Sequence, residues 1–158
     1  MDFLESLVVQ DWCRDHGVPL DPQGELLPDP SSVVLERHVF GRPASPEGWE
    51  RELAARCVAA LGEWDECLLW ITLWGVWPSS ENWPAYYQAR GAEGELRSLD
   101  IAPGHLFQRA ERGKLEDFVR LVIENAWDAC ILPTRGGRGN GRRAILSHDE
   151  LVDILARP

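Results

Sequence analysis

Lysine, methionine and tyrosine are scarce in this chain of 158 residues, and motifs that would name a reaction are missing. There is one lysine, Lys114, one methionine and two tyrosines. The chain contains neither the G-x-x-x-x-G-K-[ST] pattern of a phosphate-binding loop nor the G-x-S-x-G turn of an α/β-hydrolase. The sequence therefore argues against these two kinds of site, and it offers no other motif that identifies an activity.

Paired cysteines and long apolar runs are absent as well. The four cysteines form no C-x-x-C pair and each has apolar neighbours: Cys13, Cys57, Cys67 and Cys130. This pattern predicts buried, reduced thiols in the cytoplasm. Because the spacings of a metal site are missing, we expect neither a metal nor a cofactor. The first residues carry acids where a secretory signal needs bases, and the longest apolar run, residues 67–77, is too short to cross a bilayer. We therefore expect a cytoplasmic protein with no membrane contact.

Positive charge is in short supply, since the formal net charge is −10. Residues 1–50 carry ten acids against three arginines, and residues 51–100 carry eight acids against four arginines. Such a surface repels the phosphates of nucleic acid and favours a basic partner. All the bases except Lys114 are arginine, which is typical of GC-rich bacterial genomes. We expect the partner to be a basic protein and not a nucleic acid.

Tryptophan is abundant by contrast, and five of the eight tryptophans lie between Trp64 and Trp83. Large indole rings mark either the centre of a fold or a recognition surface beside it. Trp70, Trp74 and Trp77 would share one face of a helix, but the β-branched and aromatic residues of 66–77 favour a strand. A strand that is apolar on both faces belongs in the middle of a covered sheet, so we assign Trp70 and Trp74 to the core.

The rest of the chain predicts a single α+β domain over residues 1–158. Helices are predicted over residues 2–16, 45–62, 79–90, 103–113, 114–125 and 147–156, and strands over 33–40, 66–77, 127–134 and 142–146. Ser147 and Glu150 have the spacing of a capping box for the last helix. A proline-rich loop covers 17–32, and a loop rich in glycine and arginine covers 135–142 as the one positive spot. We expect a small mixed sheet of about four strands with five or six helices, and the 127–146 hairpin at its edge.

A partner surface is predicted where acids before the strand 66–77 combine with aromatics after it. Tyrosine and tryptophan are favoured interface anchors, and carboxylates can receive arginine or lysine side chains. The predicted partner-binding residues are Glu63, Asp65, Glu66, Trp77, Glu81, Asn82, Trp83, Tyr86 and Tyr87. The function favoured by the sequence is non-catalytic binding of another protein.

A small-ligand-binding protein or enzyme is the alternative. Its pocket would be lined by Trp74, Trp77, Trp83, Tyr86 and Tyr87. His105 or His148 would carry a proton, with Asp149 beside His148. Geometry separates the two hypotheses: a concave pocket with a histidine bonded to a carboxylate favours the alternative, and flat exposed aromatics rimmed by carboxylates favour protein binding.

In its overall profile the chain resembles the immunity proteins of bacterial toxin systems, which are small, acidic, single-domain and rich in buried aromatics. The resemblance is one of profile, which no motif carries and from which no residue role follows. It implies that this chain binds a basic protein and neutralises or tethers it.

Overall fold

A computed structural model of the chain describes residues 1–39, 48–75 and 83–157, which form eight β-strands and four α-helices. The strands are β1 (Asp2–Leu4), β2 (Val33–Val39), β3 (Glu66–Leu73), β4 (Gly104–Gln108), β5 (Asp128–Arg135), β6 (Arg138–Gly139), β7 (Arg142–Ser147) and β8 (Leu151–Ala156). The helices are α1 (Ser6–Asp15), α2 (Trp49–Ala60), α3 (Trp83–Ala92) and α4 (Arg112–Asn125), and a 3₁₀ turn covers Arg109–Glu111. None of these helices has the length and apolar character needed to cross a membrane.

All the strands belong to one antiparallel sheet. Its order is β1-β4-β3-β5-β7-β8-β2, and β6 pairs with the end of β5. In the middle of the sheet, Leu69 of β3 lies between His105 of β4 and Ile131 of β5. The strand that carries Trp70 is therefore an interior strand, as its apolar character on both faces predicted.

The predicted fold was wrong in its proportions, because the described residues contain eight strands and four α-helices instead of about four strands and five or six helices. The sheet is also antiparallel throughout and not mixed. The 127–146 hairpin lies inside the sheet, whereas β1 and β2 form the edges. Four of the described strands were not predicted: β1, β4 and β8 lie where helices were predicted, and β6 lies in the predicted loop 135–142.

The predicted last helix shows why the error arose. In β8, Val152, Ile154 and Ala156 are buried and alternate with less buried residues, which is the period of a strand. The supposed capping box is the turn of the β7–β8 hairpin: Ser147 pairs with Leu151, and Glu150 has a positive φ of 60°. Serine and acidic residues serve turns as well as helix starts, so their spacing alone did not decide between the two.

The main core lies between one face of the sheet and the helices. Apolar side chains of α2 and α4 pack on alternate residues of the central strands, which include Leu69, Ile71, Ile131, Leu146 and Ile154. Trp64 and Trp127 are among the largest side chains that are fully buried there. The helix predicted over 45–62 is observed over Trp49–Ala60, and the start of the predicted range, residues 45–47, lies outside the described residues.

The opposite face of the sheet is covered by α1 and by the proline-rich segment 17–32. Val9, Trp12 and Cys13 of α1 pack on side chains that include Trp70 and Leu132. Helix and sheet approach closely at Gly104, where an added Cβ would stand 2.4 Å from the Val9 side chain. The N-terminal part of the chain thus lies across this face, although it was predicted only as one helix and a loop.

Candidate functional site

The acids predicted to receive a partner lie at the start of β3 and have partners within the chain. Glu63 pairs with Arg109, and Glu66 accepts a hydrogen bond of 2.9 Å from the Gln108 amide. Asp65 accepts 2.8 Å from the backbone N–H of Gly136. The positive loop therefore contacts the acidic start of β3 in its own chain.

The predicted aromatic residues are divided by burial. Tyr86 is fully buried, Tyr87 is half-buried and Trp83 is 38% exposed. Trp83 lies edge-on to Trp127, with 6.2 Å between ring centroids. The predicted residues Trp77, Glu81 and Asn82 lie outside the described part of the chain.

The acids and the aromatic residues do not form one surface. Glu66 begins β3, whereas Trp83 packs near Gly75, just beyond the other end of that strand. Seven steps along a strand separate these ends by roughly 23 Å. The two halves of the predicted interface would have to contact different parts of a partner.

His105 is fully buried in a polar cluster between β4 and α3. Its Nε2 accepts hydrogen bonds from Arg90 Nη1 at 2.8 Å and from the Tyr86 hydroxyl at 3.2 Å, and its Nδ1 donates to the Pro103 carbonyl. Arg90 also donates to the carbonyls of Ala102 and Arg97, both at 3.0 Å. Burial, together with the nearby Arg90 charge, lowers the pKa of His105 from 6.5 to about 3. The ring is therefore a neutral acceptor that holds α3 on the sheet, away from any ligand in solvent.

His148 has a different environment at the opposite side of β5. Its Nδ1 lies 2.9 Å from the Asp128 carboxylate, and its Nε2 lies 3.6 Å from the exposed Asp149. The hydrogen bond to Asp128 raises the pKa of His148. Histidine and carboxylate are thus bonded as the alternative hypothesis requires, but His105 and His148 are not brought together.

An apolar groove of about 860 Å³ lies beside Asp128, between the sheet and the segment 25–29. Its apolar lining includes Leu26, Leu27, Trp70, Leu73, Trp74, Leu99, Pro103, Ile145 and Leu155. Its polar lining includes Glu25, Asp29, Asp100, Asp128 and Arg143. Leu73 is 43% exposed although it faces this groove, so apolar surface is left open to solvent.

A second groove, of about 420 Å³, adjoins the first and is cationic. Five arginines line it: Arg14, Arg138, Arg142, Arg143 and Arg157. Asp15, Asp29 and His16 are its other titratable groups. Because Arg143 and Asp29 line both grooves, the apolar and cationic grooves meet at these two side chains.

Sequence reasoning missed both grooves because their walls come from distant parts of the chain. Of the predicted pocket residues that the structure describes, Trp74 lines the apolar groove, whereas Trp83, Tyr86 and Tyr87 do not. One signal was present in the sequence. Leu26 and Leu27 are an apolar pair in a polar, proline-rich loop, which indicates that this loop packs on the rest of the protein. Among the described residues, no group of three or more histidine, cysteine or acidic side chains could hold a metal ion.

A scan against protein-family models finds no match for this chain, and neither a search of curated proteins nor a search of solved structures finds one.

Proposed function

We propose that the protein binds a small, largely apolar molecule in the groove beside Trp70 and Trp74. The groove itself is the observation that carries this proposal. Its volume of about 860 Å³ falls within the range of roughly 300–1,000 Å³ that is common for small-molecule sites. Such sites combine apolar walls with a few polar groups, and this groove has that composition.

The polar groups of the groove lie at separate places along it. Asp128 begins β5, and its carboxylate holds His148. Ala144 pairs with Ile131, so the neighbouring Arg143 lies roughly 13 Å along the sheet from Asp128. The groove therefore offers the Asp128 carboxylate, which is bonded to His148, at one end and a guanidinium at the other, and these groups would fix the orientation of a bound molecule.

Binding is tested with the neutral apolar dye N-phenyl-1-naphthylamine, followed by its fluorescence. Replacing Trp74 by alanine removes an aromatic wall, so we expect the affinity for the dye to fall about fivefold, which corresponds to roughly 1 kcal/mol. The exposed Leu73 offers a second variant with little effect on folding: Leu73→Asn should weaken dye binding in the same direction.

The matched control is Trp83→Ala, which removes the same side chain outside the groove and should leave dye affinity unchanged. Far-UV circular dichroism checks that each variant is folded. Absence of dye binding to the wild-type chain, or equal loss in the Trp74 and Trp83 variants, would refute the proposed site.

A second candidate function is the binding of a basic protein in the cytoplasm, as expected of an immunity-type protein. The exposure of Trp83 supports it, since this ring stacks on Tyr87 and still presents 38% of its surface. The net charge of −10 would attract a basic partner. The four cysteines are free and buried, which suits a reducing cytoplasm.

Trp83→Ala also tests this second function. A basic protein captured from native cells should bind the purified wild-type chain and lose about tenfold or more in affinity for the Trp83 variant, because exposed tryptophans are frequent binding hot spots. The Trp74 variant should bind the captured protein as the wild type does. If Trp83→Ala leaves the affinity unchanged, Trp83 is not part of a partner surface.

A further inference from the structure

Arg143 occupies the point where the apolar and cationic grooves meet. It extends from β7 on the same face as Ile145, and it lines both grooves. Its Nε atom is buried and has no hydrogen-bond partner among the described residues. Its Nη1 atom makes one long contact, 3.4 Å, to the Leu27 carbonyl. A guanidinium has five N–H donors, and within the described residues this contact engages one of them.

The nearby acids do not neutralise this position. Asp29 lines both grooves, but its Oδ1 accepts from Ser31 and its Oδ2 accepts from Ser32 and Arg157. These hydrogen bonds lower the pKa of Asp29, first through Ser31 and then through Arg157. Asp29 is therefore already paired, and it does not bond Arg143.

The surroundings of Arg143 are positive although the chain as a whole is strongly negative. Five arginines line the cationic groove, of which Arg14 pairs with Asp11 and Arg157 pairs with Asp29. The other three, Arg138, Arg142 and Arg143, have no acidic partner within 4 Å among the described residues, in a chain whose net charge is −10. Three further acids line the apolar groove, Glu25, Asp100 and Asp128, and Asp128 lies toward the end away from Arg143. An anion would consequently be repelled from most of this surface and attracted to the junction of the two grooves.

We infer that the ligand of the apolar groove is an amphipathic anion, whose carboxylate, sulfonate or phosphate group binds Arg143 at the entrance to the cationic groove. This inference rests on the proposed function, since it assumes that the apolar body of the ligand lies beside Trp70 and Trp74. Arginine binds such groups through two parallel N–H donors, which adds geometric specificity to charge. The cationic groove extends beyond Arg143 and leaves room for a larger anionic group.

The test compares two dyes that share a naphthylamine body. 1-Anilinonaphthalene-8-sulfonate carries an anionic group, and N-phenyl-1-naphthylamine carries none. Arg143→Gln should weaken binding of the sulfonate about tenfold, because hydrogen bonds to charged groups contribute roughly 1.5–3 kcal/mol. Binding of the neutral dye should change less than about twofold, since the apolar walls are intact. Arg135→Gln, which removes the same charge outside both grooves, is the matched control.

The outcomes separate this inference from the function on which it rests. If neither dye binds the wild-type chain, the proposed function fails. If both dyes bind and Arg143→Gln leaves the affinity for the sulfonate unchanged, the apolar site is supported and the inference of an anionic ligand is wrong. The same conclusion follows if Arg135→Gln lowers the affinity for the sulfonate as much as Arg143→Gln does. If Arg143→Gln does not fold, the wild-type chain decides: added salt must weaken the sulfonate and not the neutral dye, and equal behaviour of the two overturns the inference.

Discussion

Replacing Arg90 by alanine is expected to lower the free energy of unfolding by about 4 kcal/mol. The guanidinium is fully buried and donates to His105 Nε2 and to the carbonyls of Ala102 and Arg97. Alanine would leave these acceptors without their charged donor and would open a cavity between α3 and the sheet. Denaturation with urea, followed by circular dichroism, measures the loss.

Arg90→Met separates the hydrogen bonds from the packing, because methionine fills most of the space and donates nothing. We expect the free energy of unfolding of Arg90→Met to fall by about half as much as that of Arg90→Ala. The surface control is Arg14→Ala, which removes an exposed arginine paired with Asp11 and should change stability by less than about 0.5 kcal/mol. A methionine variant as stable as the wild type would show that the buried hydrogen bonds contribute no net stability.

Acid is expected to destabilise the protein through His105 before most carboxylates titrate. The pKa of this ring is about 3 in the folded chain, against 6.5 for an unperturbed histidine. Above about pH 6.5 the ring is neutral in both states and contributes nothing. Below that value His105 binds a proton in the unfolded chain but not in the folded chain. The free energy of unfolding therefore falls by about 1.4 kcal/mol per pH unit until about pH 3. Between pH 6.5 and 4.5 the expected loss is about 2–3 kcal/mol.

The measurement is the difference between wild type and His105→Gln in this pH interval. Glutamine can accept from Arg90 and donate to Pro103, but it does not titrate. His148 has the opposite effect, because its raised pKa gives stability below its unfolded value that is lost as pH rises, yet it is present in both proteins. Wild type should therefore lose about 2–3 kcal/mol more than the variant, and parallel stability curves would contradict the assignment.

The central strand could be predicted from sequence because tertiary packing agreed with local preference there. Residues 67–73 are β-branched, aromatic or apolar, and residues 67–71 of β3 are buried on both faces. Residues 104–108 carried no such agreement: their proline and glycine neighbours are equally typical of a helix start. What makes them a strand is pairing with β3 on one side and β1 on the other, which a local pattern does not contain.

The site was less predictable than the fold, since residue type did not indicate burial or position. His105 is an acid–base candidate by chemistry, but its place in β4 puts it under α3. Asp128 was not singled out, yet it holds His148 and lines the groove. The arginine of greatest interest, Arg143, lies in the strand predicted over 142–146, but the sequence did not indicate which face of the sheet it would occupy, and β7 places it on the face covered by residues 25–29.

The edge strand β2 can pair with its neighbour in the sheet only late in the synthesis of the chain. β2 pairs with β8, so that Val33 faces Ala156, more than a hundred residues further along the chain. During synthesis from the N-terminus, the apolar stretch at Val33, Val34 and Leu35 is made early and waits for β8 as its partner. Unpaired apolar strands are prone to join other chains, and contacts between distant residues form slowly. The nascent chain is thus most vulnerable to aggregation in the interval before β8 emerges, and the groove beneath residues 25–29 is closed only after that interval.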